Sequence, residues 1–316
     1  MFVPYARQSI NDDDIAAVAD VLRSEFLTQG PTVPAFEDAI ADHCKANYAV
    51  AMNSATSALH VACLALGVGP GDFVWTSPIS FVASANCAIY CGAQVDFVDI
   101  DSKTFNMSVD ALATKLAQAK LANKLPKVVI PVHLGGQSCD MATIYSLSQT
   151  YGFKIIEDAS HAIGGTYRGE PVGSCVFSDV TVLSFHPVKI ITSGEGGMAL
   201  TNDAALAESM NQIRTHGITR DARLYENASD GPWYYEQINL GFNYRLTDIA
   251  AALGLSQFQR LNSFVAKRNE IALNYDMLFS DTAITTPVIT SDAMSSFHLY
   301  IIQLPLLNSQ KQKFFE

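Results

Sequence analysis

Basic residues are scarce in this sequence: of 316 residues, 20 are Lys or Arg against 31 Asp or Glu, a net charge of −11. A protein that coats nucleic-acid phosphates needs a basic face to displace counterions, so that class is excluded, although a local basic pocket is not. The six cysteines, Cys44, Cys63, Cys87, Cys91, Cys139 and Cys175, include no C-x-x-C pair and have no histidine cluster nearby, so no zinc or other metal site is expected. Cys87 and Cys91, one helical turn apart in ANCAIYCGA, read as small buried thiols. There is no extended uncharged apolar span, and MFVPYARQSINDDD lacks the basic and apolar regions of a signal peptide, so a cytoplasmic protein with no membrane segment is expected. Charged residues make up only 16% and apolar ones 49%, a balance that disordered chains invert. The length suits a large α/β domain with a smaller appendage.

What is present is alternation. Asp12 to Arg23 reads as a helix capped by Asn11, with acidic residues in its first turn and Ile15, Val18, Ala19 and Leu22 on one apolar face. A second helix, Val33 to Lys45, leads to the strand YAVAM and then to NSATSALHVACLALG, a strand-to-helix junction. The runs FVWTSP, QVDFVDI, KVVIPVH, KIIED and TVLSF follow, separated by helical stretches such as VDALATKLAQAK and MATIYSLSQTYG. Strands apolar on both faces, alternating with helices, predict a mostly parallel sheet covered on both sides. MALTND reads as a further strand, DAALAESMNQIRTHG as a helix, and Ile218 to Gln237 as a long loop of the kind that is often functional. One long helical pattern then runs from Thr247 to Phe279 and bridges toward a second unit. The tail FHLYIIQLP reads as a strand and NSQKQKFFE as the opening of a helix. The expected division is a large domain over residues 1–248 and the start of a smaller α/β domain, incomplete, over 249–316.

Four constellations could carry chemistry. At Asn53-Ser54-Ala55-Thr56-Ser57-Ala58, unpaired N–H groups, the helix dipole and hydroxyls together make an anion site, though a simply capped helix would look the same. Phe81, just past FVWTSP, could wall the crevice that forms at strand carboxyl ends, although core packing is the more ordinary use of an aromatic. Asp158 ends a buried strand, where a carboxylate is costly unless it meets a cation or several donors. A protonated ring nitrogen of a ligand would supply that partner. His161, three residues on, reads equally well as a satisfied core histidine. Finally, Lys189 follows a buried strand and is flanked by hydroxyls and the glycines of TSGEGG. Such a lysine is poised to lose its proton by desolvation and attack a carbonyl. Gly67 to Asp72 imitates a dinucleotide fingerprint but follows a helix and precedes a strand, the reverse of the required order, so it is a connecting turn.

With LTQGP, FEDAIADHCKANYAVAMNSATSALH, SPISFVASAN, IIEDASHAIGG, SFHPVKIITSGEGG and GFNYRLTDIAAALGLSQ in this order, the sequence resembles the DegT/StrS family of sugar aminotransferases from Tyr5 to about Tyr300. The resemblance implies a fold-type I transferase dependent on pyridoxal 5'-phosphate. Within that family, the likeness runs toward enzymes that aminate C4 of a UDP-linked 4-keto-6-deoxy-N-acetylhexosamine in pseudaminic acid synthesis, with L-glutamate as donor. It implies that Lys189 carries the cofactor and shuttles a proton, and that Asp158 pairs with the pyridine nitrogen, keeping the ring an electron sink. Phe81 would stack on the ring, His161 would meet its phenolic-oxygen side, and Thr56, Ser57 and Ser184 would hold the phosphate. Asn243, with Arg245 close by, would reach the same phosphate from the neighbouring subunit of a homodimer. Tyr5 and the loop Thr28-Gln29-Gly30 match family positions near the sugar nucleotide. Family dehydratases carry histidine where this chain has Lys189, which disfavours deoxygenation. The same cofactor acting on another nucleotide keto-sugar, at C3 or with a dTDP or GDP nucleotide, is the neighbouring alternative, and a cofactor-binding remnant without turnover is a third.

Overall fold

The computed structural model describes residues 6–305 together with Gln310 and Lys313. The helices are α1 (Asp12–Arg23), α2 (Thr32–Cys44), α3 (Ala55–Ala65), α4 (Ala83–Tyr90), α5 (Val109–Leu121), α6 (Met141–Tyr151), α7 (Ala204–Arg214), α8 (Asp248–Phe258) and α9 (Leu261–Phe279). The central strands are β1 (Tyr48–Met52), β2 (Phe73–Thr76), β3 (Gln94–Phe97), β4 (Val128–Ile130), β5 (Lys154–Asp158), β8 (Val180–Ser184) and β9 (Gly197–Thr201). Five two-residue strands complete the set among the described residues: β6 (Thr166–Tyr167), β7 (Glu170–Pro171), β10 (Ile218–Thr219), β11 (Glu236–Gln237) and β12 (Ala293–Met294), the last pairing with β6.

The central sheet runs β1-β9-β8-β5-β4-β2-β3, and β9 alone is antiparallel to its neighbours. The mostly parallel, doubly covered α/β sheet expected from the strand pattern is therefore what the chain forms. Every residue of β4, β8 and β9 is buried, as strands between two helical layers must be. One core layer joins β1, β4, β8 and α3, while a second joins α2, α8 and the Phe36–Phe185 ring pair on the other face. All six cysteines are free and buried. Because β1, β2, β5 and β8 point the same way, the segments that follow them meet along one edge of the sheet. That edge is where a doubly wound sheet opens a crevice.

Several expectations need correction. The inward side of α1 is not the stripe containing Ile15 and Leu22, which are 60% and 56% exposed; Asp14 and Val21 are buried instead. Burial raises the Asp14 pKa, but hydrogen bonds from Ser256, the Asn11 backbone and Gln257, with the charge of Arg260, outweigh it and hold the group below its ordinary range. Those bonds, from Ser256 Oγ at 2.7 Å, Gln257 Nε2 at 2.6 Å and Arg260 Nη2 at 2.5 Å, are what let a carboxylate displace an apolar residue from the contact with α8. Asn11 does cap α1, in a reciprocal capping box with Asp14. The single helix expected from 247 to 279 is two, α8 and α9, broken at Gln259 and Arg260 where backbone bonds tighten to i−2 and i−3 partners. FHLYIIQLP forms no continuous strand: Phe297 has φ 46°, and its ladder is limited to one bridge, Thr285 to Gln303. A strand needs a pairing partner as well as an apolar run. The helix expected over 308–316 lies outside the described residues apart from Gln310 and Lys313, both helical. The loop from 218 to 237 closes on itself through β10 and β11, with Trp233 70% exposed.

Gly197 opens β9 directly beneath the start of α3. A Cβ there would stand 2.3 Å from the Ala55 backbone nitrogen and 2.4 Å from the Ser54 carbonyl carbon. Neither atom is the tip of a flexible side chain, so the glycine serves the seating of α3, and Gly194 with φ +85° supplies the turn before it. Gly197→Ala should therefore cost roughly 1–3 kcal/mol by overpacking. The midpoint of denaturant unfolding measures it, and an unchanged midpoint refutes the close approach.

Candidate active site

A crevice of about 230 Å³ lies at the carboxyl edge of the sheet, and Thr56, Phe81, Asp158, His161, Ser184 and Lys189 all line it. Asp158 is the last residue of β5 and Ser184 the last of β8. Lys189 follows in a turn closed by its N–H to the His186 carbonyl, 2.9 Å. Thr56 comes from the first turn of α3 and Phe81 from the segment between β2 and α4. Residues more than 130 positions apart thus meet because parallel strands deliver their ends to one place.

Asp158 is 3% exposed. Its Oδ2 accepts from Ser84 Oγ at 2.6 Å and its Oδ1 from the Ser160 N–H at 3.1 Å. A carboxylate has about four acceptor directions, so capacity remains on the side that lines the crevice. Burial pushes the Lys189 pKa down, and the charge of Asp158 offsets that only in part, leaving the amine below its ordinary value. His161 is driven to about 4, by burial first and then by Lys189, with Asp158 opposing. It is therefore a neutral imidazole at pH 7. Its Nδ1 faces the Gly135 N–H at 3.3 Å and acts as acceptor, which puts the ring proton on Nε2. Its ring packs against His298, centroids 4.5 Å apart, whose own pKa burial forces down.

At the α3 end, Ser54 caps the helix by accepting the Ser57 N–H at 3.1 Å, while Ala55 and Thr56 line the crevice. The first N–H groups of a helix have no intrahelical partner, so this corner presents donors and a positive dipole end, with the Thr56 and Ser184 hydroxyls beside it. Ser57 lies differently: its hydroxyl donates to Asn53 Oδ1 at 2.6 Å and sits 3.0 Å from Ser54 Oγ, and its side chain is not among those lining the crevice. Asn243 and Arg245 also lie off the crevice of their own chain. Asn243 is exposed, bridged to Thr215, and Arg245 is bridged to Met52. The Thr28-Gln29-Gly30 loop is likewise outside it, held by Asp248, whose carboxylate accepts the N–H groups of Gly30 (2.8 Å), Thr32 (2.8 Å) and Val33 (3.2 Å). A Cβ on Gly30 would stand 2.4 Å from that of Phe26, so this glycine permits a close local packing. Tyr5 lies outside the described residues.

Sequence reasoning missed Ser80, Ser84, Ser160, His186 and Glu195 near these groups, and His298 behind His161. Isolated serines and a histidine in a tail carry no signal of their own. Only the position of His186 and Glu195 in the same segment as Lys189 could have raised them.

A desolvated amine, a buried carboxylate with acceptor capacity to spare and a helix terminus with hydroxyls define a site for a phosphorylated cofactor with a reactive carbonyl and a ring nitrogen. The donor set fits pyridoxal 5'-phosphate. The chain matches the model of the DegT/DnrJ/EryC1/StrS aminotransferase family over residues 8–316 and belongs to that family, whose enzymes depend on this cofactor. It is 40% identical to the spore coat polysaccharide biosynthesis protein SpsC of Bacillus subtilis, over 96% of this chain and 76% of that protein. Against a Campylobacter jejuni UDP-4-amino-4,6-dideoxy-N-acetyl-beta-L-altrosamine transaminase it is 37% identical over 99% and 80% of the two chains. Among solved structures, Helicobacter pylori PseC, an aminotransferase of pseudoaminic acid biosynthesis, superposes with a TM-score of 0.85 at 33% identity, covering 99% of this chain and 78% of that one. Streptococcus pneumoniae Spr1654 in its PLP form gives 0.85 at 30% identity, covering 96% and 79%.

The depressed basicity of Lys189 sets a direction with pH. More of its amine is neutral at a given pH than for an exposed lysine, so its covalent capture by the cofactor aldehyde, trapped with borohydride and mapped by peptide mass spectrometry, should saturate at a lower pH than at surface lysines. Equal midpoints at Lys189 and at exposed Lys120 would contradict the desolvation.

Proposed function

We propose that this sugar aminotransferase moves the amino group of L-glutamate onto C4 of a UDP-linked 4-keto-6-deoxy-N-acetylhexosamine, the reaction that leads toward pseudaminic acid, and releases 2-oxoglutarate. The observation that carries the reading is the meeting of Lys189 and Asp158 in one crevice. The choice of sugar is supported by the likeness to the Campylobacter transaminase and to PseC. A cytoplasmic location is part of the proposal; among the described residues no helix is long and apolar enough to cross a membrane.

When bound, the cofactor supplies an electron sink for the carbon that loses or gains the proton. Lys189 would hold it covalently, and its neutral amine would move the proton at the substrate carbon. Asp158 would pair with the protonated ring nitrogen. Phe81, 70% exposed as the chain stands alone, covers one ring face. His161, neutral with its proton on Nε2, would have a donor to offer the phenolic oxygen. Thr56 and Ser184 bind the phosphate with the α3 terminus, and Ser57 acts one step back, by fixing Asn53 and Ser54. Asn243 and Arg245 act on the partner's phosphate in a homodimer, which accounts for an exposed Asn243 that misses its own crevice. The 28–30 loop is assigned to the border of the sugar nucleotide. The large unit is assigned to residues 1–248 and a smaller one to 249–316, with α8 packed on α1 and α2.

A second substrate reading has its own support: at 39% identity, over 97% of this chain and 77% of that protein, stands a UDP-4-amino-4-deoxy-L-arabinose–oxoglutarate aminotransferase of Shewanella sediminis. A few pocket contacts decide between such sugars. Assay of glutamate-dependent amination across UDP, dTDP and GDP keto-sugars separates the two, and activity confined to the pentose, or to C3, displaces the hexosamine. Lys189→Ala should abolish the visible absorbance of the lysine-linked cofactor and lower turnover by roughly 10²–10⁴-fold or more. An unchanged rate in Lys189→Ala rejects the mechanism. The shared site is tested by co-expressing Lys189→Ala with Asn243→Ala: a hybrid dimer has one intact site only if Asn243 serves the partner. Recovery of activity above that of either variant is expected, and its absence places Asn243 elsewhere.

A further inference from the structure

Behind Asp158 lies a chain of hydroxyls that the reaction described above does not use. Ser84, on α4, is fully buried, and its Oγ stands 2.6 Å from Asp158 Oδ2. Ser80 Oγ stands 2.7 Å from Ser84 Oγ, and Ser80 lines the crevice. An ionised carboxylate has no proton to give, so Ser84 must be the donor in the first contact. Its single hydrogen is then spent. In the second contact Ser84 can only accept, so Ser80 must donate to it. The chain has one direction, Ser80 to Ser84 to Asp158, and Ser80 shows only lone pairs to the crevice.

We propose that Ser84 is a positioning residue for Asp158, fixing the rotation of its carboxylate toward the cofactor ring, and that Ser80 polarises Ser84 while acting in the crevice purely as a hydrogen-bond acceptor. The proposal rests on Asp158 meeting the ring nitrogen. With Ser84 on one oxygen and the Ser160 N–H on the other, both oxygens are anchored from the protein side, and the carboxylate plane cannot turn without losing a bond. With these two bonds made, the free lone pairs of the carboxylate face the crevice. The same geometry removes Ser80 from the phosphate-binding set, although it is a crevice hydroxyl like Thr56 and Ser184. Phosphate oxygens need donors, and the one hydrogen Ser80 has points inward.

The test uses full-length protein loaded with cofactor labelled with ¹⁵N in the ring and no substrate, reading the ring-nitrogen resonance and the dissociation constant for the cofactor. Asp158→Asn is the reference for a lost pairing. Ser84→Ala should move the resonance part of the way toward that of Asp158→Asn and weaken cofactor binding roughly ten- to hundredfold, the span of one charge-assisted hydrogen bond. Ser80→Ala, at a half-exposed position with little risk to folding, should move the resonance the same way by less. If Asp158→Asn shifts the resonance while Ser84→Ala and Ser80→Ala leave it in place, the serine chain is refuted and the Asp158 reading survives. If Asp158→Asn itself changes nothing, the reading of Asp158 falls and the serine chain with it. A variant with altered stability alone, and an unmoved resonance, also counts against the proposal.

Discussion

The site depends on holding a carboxylate and an amine together out of water. Asp158 and Lys189 each lose hydration in the crevice, and each offsets part of the other's cost. Removing either alone would leave an uncompensated buried charge or an amine with no reason to be there. The arrangement therefore acts as a unit: burial makes the lysine nucleophilic, and the carboxylate beside it is kept in place by Ser84 and the Ser160 N–H. The neutral His161, its charge suppressed by the same burial and by Lys189, avoids adding a third competing charge.

That unit is delivered by parallel strands and then braced by contacts that span long stretches of sequence. Asp248 gathers the N–H groups at the start of α2, whose own N-cap Pro31 offers no side-chain bond. Asp14 ties α1 to α8. Gly197 lets α3 settle over the start of β9, which sets the height at which Thr56 reaches the crevice beside Ser184. Each tie joins a polar or sterically minimal residue to backbone or to a polar partner, and each gives a sequence feature a purpose its local pattern does not show.

Legibility followed the range of the signal. The strand runs, the Asn11 cap and the mostly parallel covered sheet were readable because burial on both faces and helix capping are local patterns. Asp158 and Lys189 were readable because a charged residue at the end of a buried strand is costly without a partner. The inward face of α1 was not, since the donors that Asp14 meets on α8 lie more than 240 residues away. The break between α8 and α9 and the absence of a strand at 297–305 were equally out of reach, because helical periodicity and apolar content continue through both.

The sequence by itself determined the alternation of strands and helices, the family likeness, and which residue types had chemistry to offer: an amine, a carboxylate, an aromatic and a hydroxyl-rich helix start. Tertiary structure decided which of them share a crevice, why Ser57 turns away while Thr56 faces in, and why Ser84 stands behind Asp158. The physical reason is that propensity and burial pattern are written within a few residues of each position, whereas desolvation and hydrogen-bond direction depend on neighbours that arrive only when the sheet closes.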